Sequence, residues 1–191
     1  MKKVKNDGGR YGFGRYFLLW IAFSFFGWVL EVVVLYLERK AFVNRGFLSF
    51  PICPIYGTSI VGAYLLLGSL AEPRGVFARI KSRGWHAALY VLVVFILPTL
   101  VELLTGLVLE KGLHVCMWSY GHMPYNLGGY VCLPISIGWG IGLFLCLQVA
   151  FPPLKKLIGK LPRGFCLVLS VLLGVLIGAE FVQRIYEVLQ R

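Results

Sequence analysis

The chain has 191 residues, of which 59% are hydrophobic and only 14% charged, with a mean hydropathy of +0.80. A globular domain carries roughly 25% charged residues, so this composition excludes a protein that keeps a polar surface in water. The net charge is +11, but the basic residues flank apolar runs and no RNA- or DNA-binding pattern is present. Membrane lipids with anionic headgroups are therefore the expected partners, and nucleic acid is not.

In chain order, residues 1–15 form a basic segment, 16–186 a single membrane domain and 187–191 a short tail. A helix needs roughly 20 apolar residues to cross about 30 Å of hydrocarbon. The runs that qualify lie at 16–37, 50–71, 85–110, 131–151 and 165–186. Lipid offers the backbone no hydrogen-bond partner, so each is expected to be helical. The predicted fold is all-α, a polytopic integral membrane protein of about five transmembrane helices. The first run has a basic leader but no small-residue cleavage site, and reads as a retained anchor.

Thirteen of the nineteen Lys and Arg residues fall in 1–15, 71–84 and 152–164; the other six fall in 38–49, 111–130 and 184–191. The positive-inside rule then predicts a cytoplasmic N-terminus and an extracytoplasmic C-terminus in a multi-pass protein. Segments 76–81 and 154–158 are short, basic and amphipathic. They read as headgroup anchors or as docking elements for a cytoplasmic partner.

Glu31, Glu102 and Glu180 lie inside the first, third and fifth runs, all of which run outward. At 1.5 Å per residue each sits about 22–25 Å from the start of its run, in the outer third of the bilayer. A charged group at mid-membrane costs roughly 2.5–3.5 kcal/mol on insertion scales, so such residues face a bundle interior or a wet cavity. Ser24, Gly27 and Glu31 share one helical stripe, as do Thr99, Glu102, Thr105 and Gly106. Ser170, Gly174 and Gly178 form a small-residue row suited to packing. Arg184, one turn from Glu180, is its expected counter-charge. Arg45, in Asn44-Arg45-Gly46-Phe47-Leu48, is placed to hold one of the other carboxylates as a bidentate fork.

The second run opens with Phe50-Pro51-Ile52-Cys53-Pro54-Ile55-Tyr56-Gly57, and the fourth with Val131-Cys132-Leu133-Pro134. Proline blocks a regular helix at these starts, and irregular backbone at this depth survives only when buried in protein or lining a cavity. Glu31, Asn44-x-Gly46 and Cys53-Pro54-Ile55 parallel Glu102, Asn126-x-Gly128 and Cys132-x-Pro134-Ile135, as in a parallel repeat. Matched interrupted segments mark binding sites in transporters. Between the third and fourth runs, Trp118 and Tyr120 suit either an interfacial belt or the wall of a cationic or amphipathic ligand site.

Several segments resemble a known family. Ser24-Phe25-Phe26-Gly27-Trp28-Val29-Leu30-Glu31, Asn44-Arg45-Gly46-Phe47-Leu48, Cys53-Pro54-Ile55-Tyr56-Gly57, Glu102-Leu103-Leu104-Thr105-Gly106, Trp118-x-Tyr120 and Asn126-Leu127-Gly128 occur in this order. Over roughly residues 20–142 they resemble the CmpB-like ABC transporter permeases, also called ABC-transporter type IV proteins. The resemblance implies a bacterial cytoplasmic-membrane protein and a separate cytoplasmic ATPase subunit. The family typically has Asp where this chain has Ser119. No Gly-rich phosphate loop ending in Gly-Lys-Ser/Thr is present, so ATP hydrolysis would fall to another chain.

The leading expectation is a permease-like transport subunit, without enzymatic activity or cofactor, that binds a small cation, another small substrate or protons. Its substrate-binding residues are expected to be Glu31, Arg45, Tyr56, Glu102, Trp118, Tyr120 and Asn126. Asn44, Gly46, Pro51, Pro54, Gly57 and Pro134 are expected to shape the backbone. A homo-oligomer is a further expected assembly. Two alternatives stand beside this one. In the first, a membrane enzyme acts on lipid-linked or peptide substrates, with the carboxyls as acid and base and His114 and His122 as proton carriers. In the second, an accessory protein has its charges paired only to fix helix register. His114, Cys116, His122 and Cys132 lack metal-ligand spacing. A bridge among Cys53, Cys116 and Cys132 has no support in their pattern.

Overall fold

The computed structural model describes residues 11–40, 48–114, 116 and 118–189. Asn44, Arg45 and Gly46 lie outside them. The helices are α1 (Phe13–Arg39), α2 (Pro54–Leu67), α3 (Arg83–Leu113), α4 (Leu133–Leu145), α5 (Phe151–Gly159) and α6 (Arg163–Leu189). A 3-10 turn covers Phe77–Arg79, and a two-stranded hairpin pairs β1 (Asn126–Leu127) with β2 (Val131–Cys132). Among the described residues, four helical runs, Phe13–Leu37, Arg83–Gly112, Leu133–Gly159 and Arg163–Glu187, are long and apolar enough to cross a membrane. The chain is thus an all-α polytopic membrane protein. It divides into two compact units, Met1–Gly62 with Pro152–Arg191, and Ala63–Phe151.

The second predicted run is the one the structure shortens. Its helix, α2, has 14 residues, which rise about 21 Å, less than the roughly 30 Å of the hydrocarbon core. Pro54 takes the first helical position, where its missing N–H would be unsatisfied anyway. Gly68 stops the helix at the other end with φ +74, and a side chain there would strike the Glu72 carbonyl. The irregular stretch before Pro54, which includes Pro51, is satisfied by protein. The Cys53 N–H donates to the Ser24 carbonyl at 2.9 Å, and the Ser49 N–H bonds the Glu180 carboxylate. Those contacts meet the condition for irregular backbone at membrane depth.

In the first unit α1 packs along α6. Gly14 lies against the Cys166 backbone, where a Cβ would come within 3.0 Å of its carbonyl oxygen. Ser170 Oγ donates to the Gly14 carbonyl at 2.8 Å, and Gly174 faces Phe17. Two members of the small row therefore meet α1, the packing expected of them. On another face of α1, Ser24 and Gly27 receive Gly57 and Tyr56, and Trp20 Nε1 donates to Thr58 Oγ1 at 2.9 Å. At the far end the Tyr11 hydroxyl donates to the Lys155 carbonyl at 2.5 Å, and Arg15 donates to the Leu161 carbonyl at 2.7 Å. Burial pushes the Tyr11 phenol well above its ordinary pKa.

In the second unit α3 packs on α4, with Phe95 lying over Gly140. The end of α2 and the turn after it close on a buried polar network. Tyr90 donates to the Gly68 carbonyl at 2.8 Å, and Gln148 holds both the Tyr90 hydroxyl (2.9 Å) and the Leu70 N–H (3.0 Å). Tyr64 stacks on Phe151 at 3.8 Å and donates to Glu72 at 3.0 Å. Gln148 sits in a π-helical turn, Cys146–Ala150, just before Pro152 and Pro153. Those prolines remove two successive donors and crowd the carbonyls four residues back, and the wider turn relieves both effects.

Gly27 and Gly62 separate packing from helix propensity. Gly27→Ala drives a methyl into the Tyr56 ring and should cost about 1–3 kcal/mol. Gly62→Ala meets nothing within 4 Å and should be neutral or gain up to about 1 kcal/mol. Thermal unfolding of the two purified variants in detergent checks the contrast.

Candidate functional site

In the first unit the Ser24–Gly27–Glu31 stripe of α1 turns toward the start of α2. Gly27 leaves room for the Tyr56 ring, and the Tyr56 hydroxyl donates to Glu31 Oε1 at 2.7 Å. Gly57 makes the same close approach possible one residue on, beneath Ser24 and Trp20. Two glycines on facing helices thus set the distance at which phenol and carboxyl meet.

In the second unit Glu102 lies on α3, one turn beyond Pro98. Its partner comes from the connection between α3 and α4. The Tyr120 hydroxyl donates to Glu102 Oε1 at 2.9 Å, and the Trp139 side chain of α4 also hydrogen-bonds the carboxyl. The second oxygen, Oε2, is buried and accepts no well-aligned hydrogen bond among the described residues. An unfilled acceptor on a carboxyl in a span is costly, because no water replaces the missing donor.

The β-hairpin holds Tyr120 in place. Gly128 (φ +61) and Gly129 (φ +79) form its turn, a left-handed pair that suits the twist of the two strands. Asn126 closes that turn from both sides, accepting from the Gly129 N–H at 3.2 Å and donating to the Met123 carbonyl at 2.7 Å. The Tyr120 N–H donates to the Gly129 carbonyl at 2.8 Å. Trp118 Nε1 donates to the Tyr130 carbonyl at 2.9 Å, and both rings pack against Gly106 of α3. A hydrogen bond to Glu110 raises the Tyr130 phenol above its ordinary pKa. Ser119 Oγ accepts from the Gly121 N–H at 3.4 Å and remains exposed beside this turn.

Of the expected substrate-binding residues, the structure joins Glu31 to Tyr56 and Glu102 to Tyr120, while Arg45 lies outside the described residues. Trp118 and Asn126 brace the hairpin. Among the expected backbone residues, Pro54 and Pro134 stand in the first turns of α2 and α4, and Gly57 makes the close helix contact. Trp139 carries no signal of its own in the sequence, since a tryptophan within an apolar run looks like any lipid-facing aromatic. The hairpin did have one, in Gly128-Gly129 between apolar neighbours. Arg184 pairs with Glu187 at 3.0 Å and bonds Ser49, whereas Glu180 receives the Ser49 N–H. The expected Glu180–Arg184 pair gives way to an i,i+3 bridge because Glu187 meets Arg184 in the next turn.

These features define a multi-pass helical membrane protein with hydrogen-bonded carboxyls in its spans. The family described as "Putative ABC-transporter type IV" matches residues 18–185, and the chain belongs to it. Comparison with curated proteins and with solved structures finds no match.

Asn126→Ala removes both bonds that lock the hairpin turn, each worth about 1 kcal/mol. Hydrogen exchange at the Gly129 and Tyr120 amides should speed up about 5- to 30-fold, with little change in α1 or α6.

Proposed function

We propose that this protein is a permease-like transport subunit whose carboxyl sites bind a small cation, an amine or protons. Membership of an ABC-transporter family supports a transport-related membrane role and an association with an ATPase. The observation that carries the finer reading is the Glu102 carboxyl. One oxygen is fixed by Tyr120, Trp139 also hydrogen-bonds the carboxyl, and Oε2 is buried with no well-aligned donor among the described residues. A bound cation or a ligand N–H would fill that acceptor and offset the cost of holding a carboxylate in the span.

Tyr120 and Trp139 orient the acid, and the hairpin braced by Trp118 and Asn126 sets Tyr120's position. Glu31, oriented by Tyr56, acts as a second carboxyl of the same kind. On the positive-inside reading both face the outer leaflet. The chain contributes recognition and positioning, and ATP hydrolysis belongs to a separate cytoplasmic subunit.

The test uses the full chain in proteoliposomes, with charge displacement recorded on a solid-supported membrane during pH jumps and jumps in inorganic and organic cations. A transient is expected for the unmodified protein and its loss for Glu102→Gln, which keeps shape and removes charge. Glu31→Gln should diminish it. Transients of full size in a well-folded Glu102→Gln protein would reject the assignment.

A further inference from the structure

At one end of the first unit the start of α1 is tied to α5 and to the turn that leads into α6. Tyr11 is the pin. Its hydroxyl donates to the Lys155 carbonyl at 2.5 Å, and a Cβ on Gly159 would lie only 3.4 Å from its ring. Arg15 donates to the Leu161 carbonyl at 2.7 Å. The Arg15 guanidinium and the Lys155 ammonium stand 5.6 and 5.9 Å from the centroid of that one ring. This packing brings like charges together, at a cost that a bound anion relieves.

Three more cations are exposed beside them: Lys156 on α5, Lys160 in the turn and Arg163 at the first residue of α6. Residues 1–30 and 151–179 together hold nine Lys or Arg and one acid, Asp7. The surface therefore carries a large positive excess, whatever each cation pairs with. The first turns of α1 and α6 contain no acidic residue to reduce it. Apolar side chains frame the cations. Phe13 is 74% exposed, Leu157 60% and Phe165 54%. Phe13 and Phe165 stand in the first turns of two of the helical runs that are long and apolar enough to cross a membrane.

We infer that this corner is a fixed site for an anionic phospholipid: the headgroup phosphate lies among Arg15, Lys155, Lys156, Lys160 and Arg163, and the acyl chains lie against Phe13, Leu157 and Phe165. The inference is independent of the transport reading. A free phosphate, or an acidic segment of a soluble protein, would neutralise the cations and leave uncovered the rings that begin the spans. A zwitterionic lipid would cover the rings and bring no net charge. Only an anionic lipid answers both, with an Arg fork and Lys ammonium groups suited to its phosphate. An amphipathic segment such as 154–158 attracts headgroups in general. The bonds from Tyr11 and Arg15 add a second element held in place, and that turns a general attraction into a site.

The test titrates the delipidated full chain in detergent with dioleoylphosphatidylglycerol or dioleoylphosphatidylcholine and counts bound lipids by native mass spectrometry. Saturable binding of the anionic lipid is expected, at least about tenfold tighter than that of the zwitterionic one. Lys156→Gln, Lys160→Gln and Arg163→Gln combined leave the Tyr11 and Arg15 bonds in place and should weaken it about tenfold or more. Arg79→Gln, Lys81→Gln and Arg83→Gln combined remove the same charge from the second unit and should leave it unchanged. If the first triple variant fails to fold, the Lys156→Gln, Lys160→Gln pair carries the same comparison, with a loss of at least about threefold. Equal binding of the two lipids, or equal losses in the two sets of variants, would overturn the site. Displacement of the lipid by equimolar inorganic phosphate would assign a free anion instead. Tighter binding of a poly-glutamate peptide than of the lipid would assign an acidic protein segment, and either result would overturn the proposal.

Discussion

The hydrogen bond between a phenol and a carboxyl inside a membrane span is the interaction on which the rest of this structure turns. A carboxylate near the middle of a bilayer costs roughly 2.5–3.5 kcal/mol, and one hydrogen bond to a charged group returns about 1.5–3 kcal/mol. A single well-placed donor therefore comes close to offsetting the cost, while a misplaced one does not. Each unit contains such a pair, Tyr56 with Glu31 at 2.7 Å and Tyr120 with Glu102 at 2.9 Å. Much of the local architecture keeps those distances short.

The two units reach that result by different routes. In the first, the phenol comes from a helix, and the small residues Gly27 and Gly57 let α1 and α2 approach until Tyr56 meets Glu31. In the second, the phenol comes from a loop, and a glycine turn, Asn126 and the Trp118 indole stiffen that loop into a hairpin. Tyr56 and Tyr120 occupy different places relative to the repeated Cys and Pro anchors. The chemical repeat is therefore looser than the sequence parallel suggests: a carboxyl-bearing helix followed by a proline-started one recurs, but the donor does not come from the same position.

Hydropathy made the long spans legible because lipid imposes its constraint on every residue of a helix, whatever its neighbours. Glu31 and Glu102 were legible for a related reason, since an acid in an apolar run demands a partner; the partner expected was Arg45, which lies outside the described residues, whereas the structure supplies the phenols of Tyr56 and Tyr120. The shortness of α2 was not. It depends on Gly68 adopting φ +74 over the Glu72 carbonyl and on a network drawn from Tyr64, Tyr90 and Gln148, residues far apart in the chain. Trp139 escaped notice because its role exists only once α4 lies against α3. The π-helical turn before Pro152 and Pro153 is readable afterwards as a response to two missing donors, although the prolines alone do not say which residue will fill it.

A double-mutant cycle on Glu102 and Tyr120 measures the central interaction most directly. Glu102→Gln, Tyr120→Phe and the double variant would be compared by unfolding of the purified full chain in detergent. A coupling of about 0.5–3 kcal/mol is predicted, since the two groups share one short bond. A coupling near zero, with all three variants folded, would contradict a carboxyl held in its span by the hairpin's tyrosine.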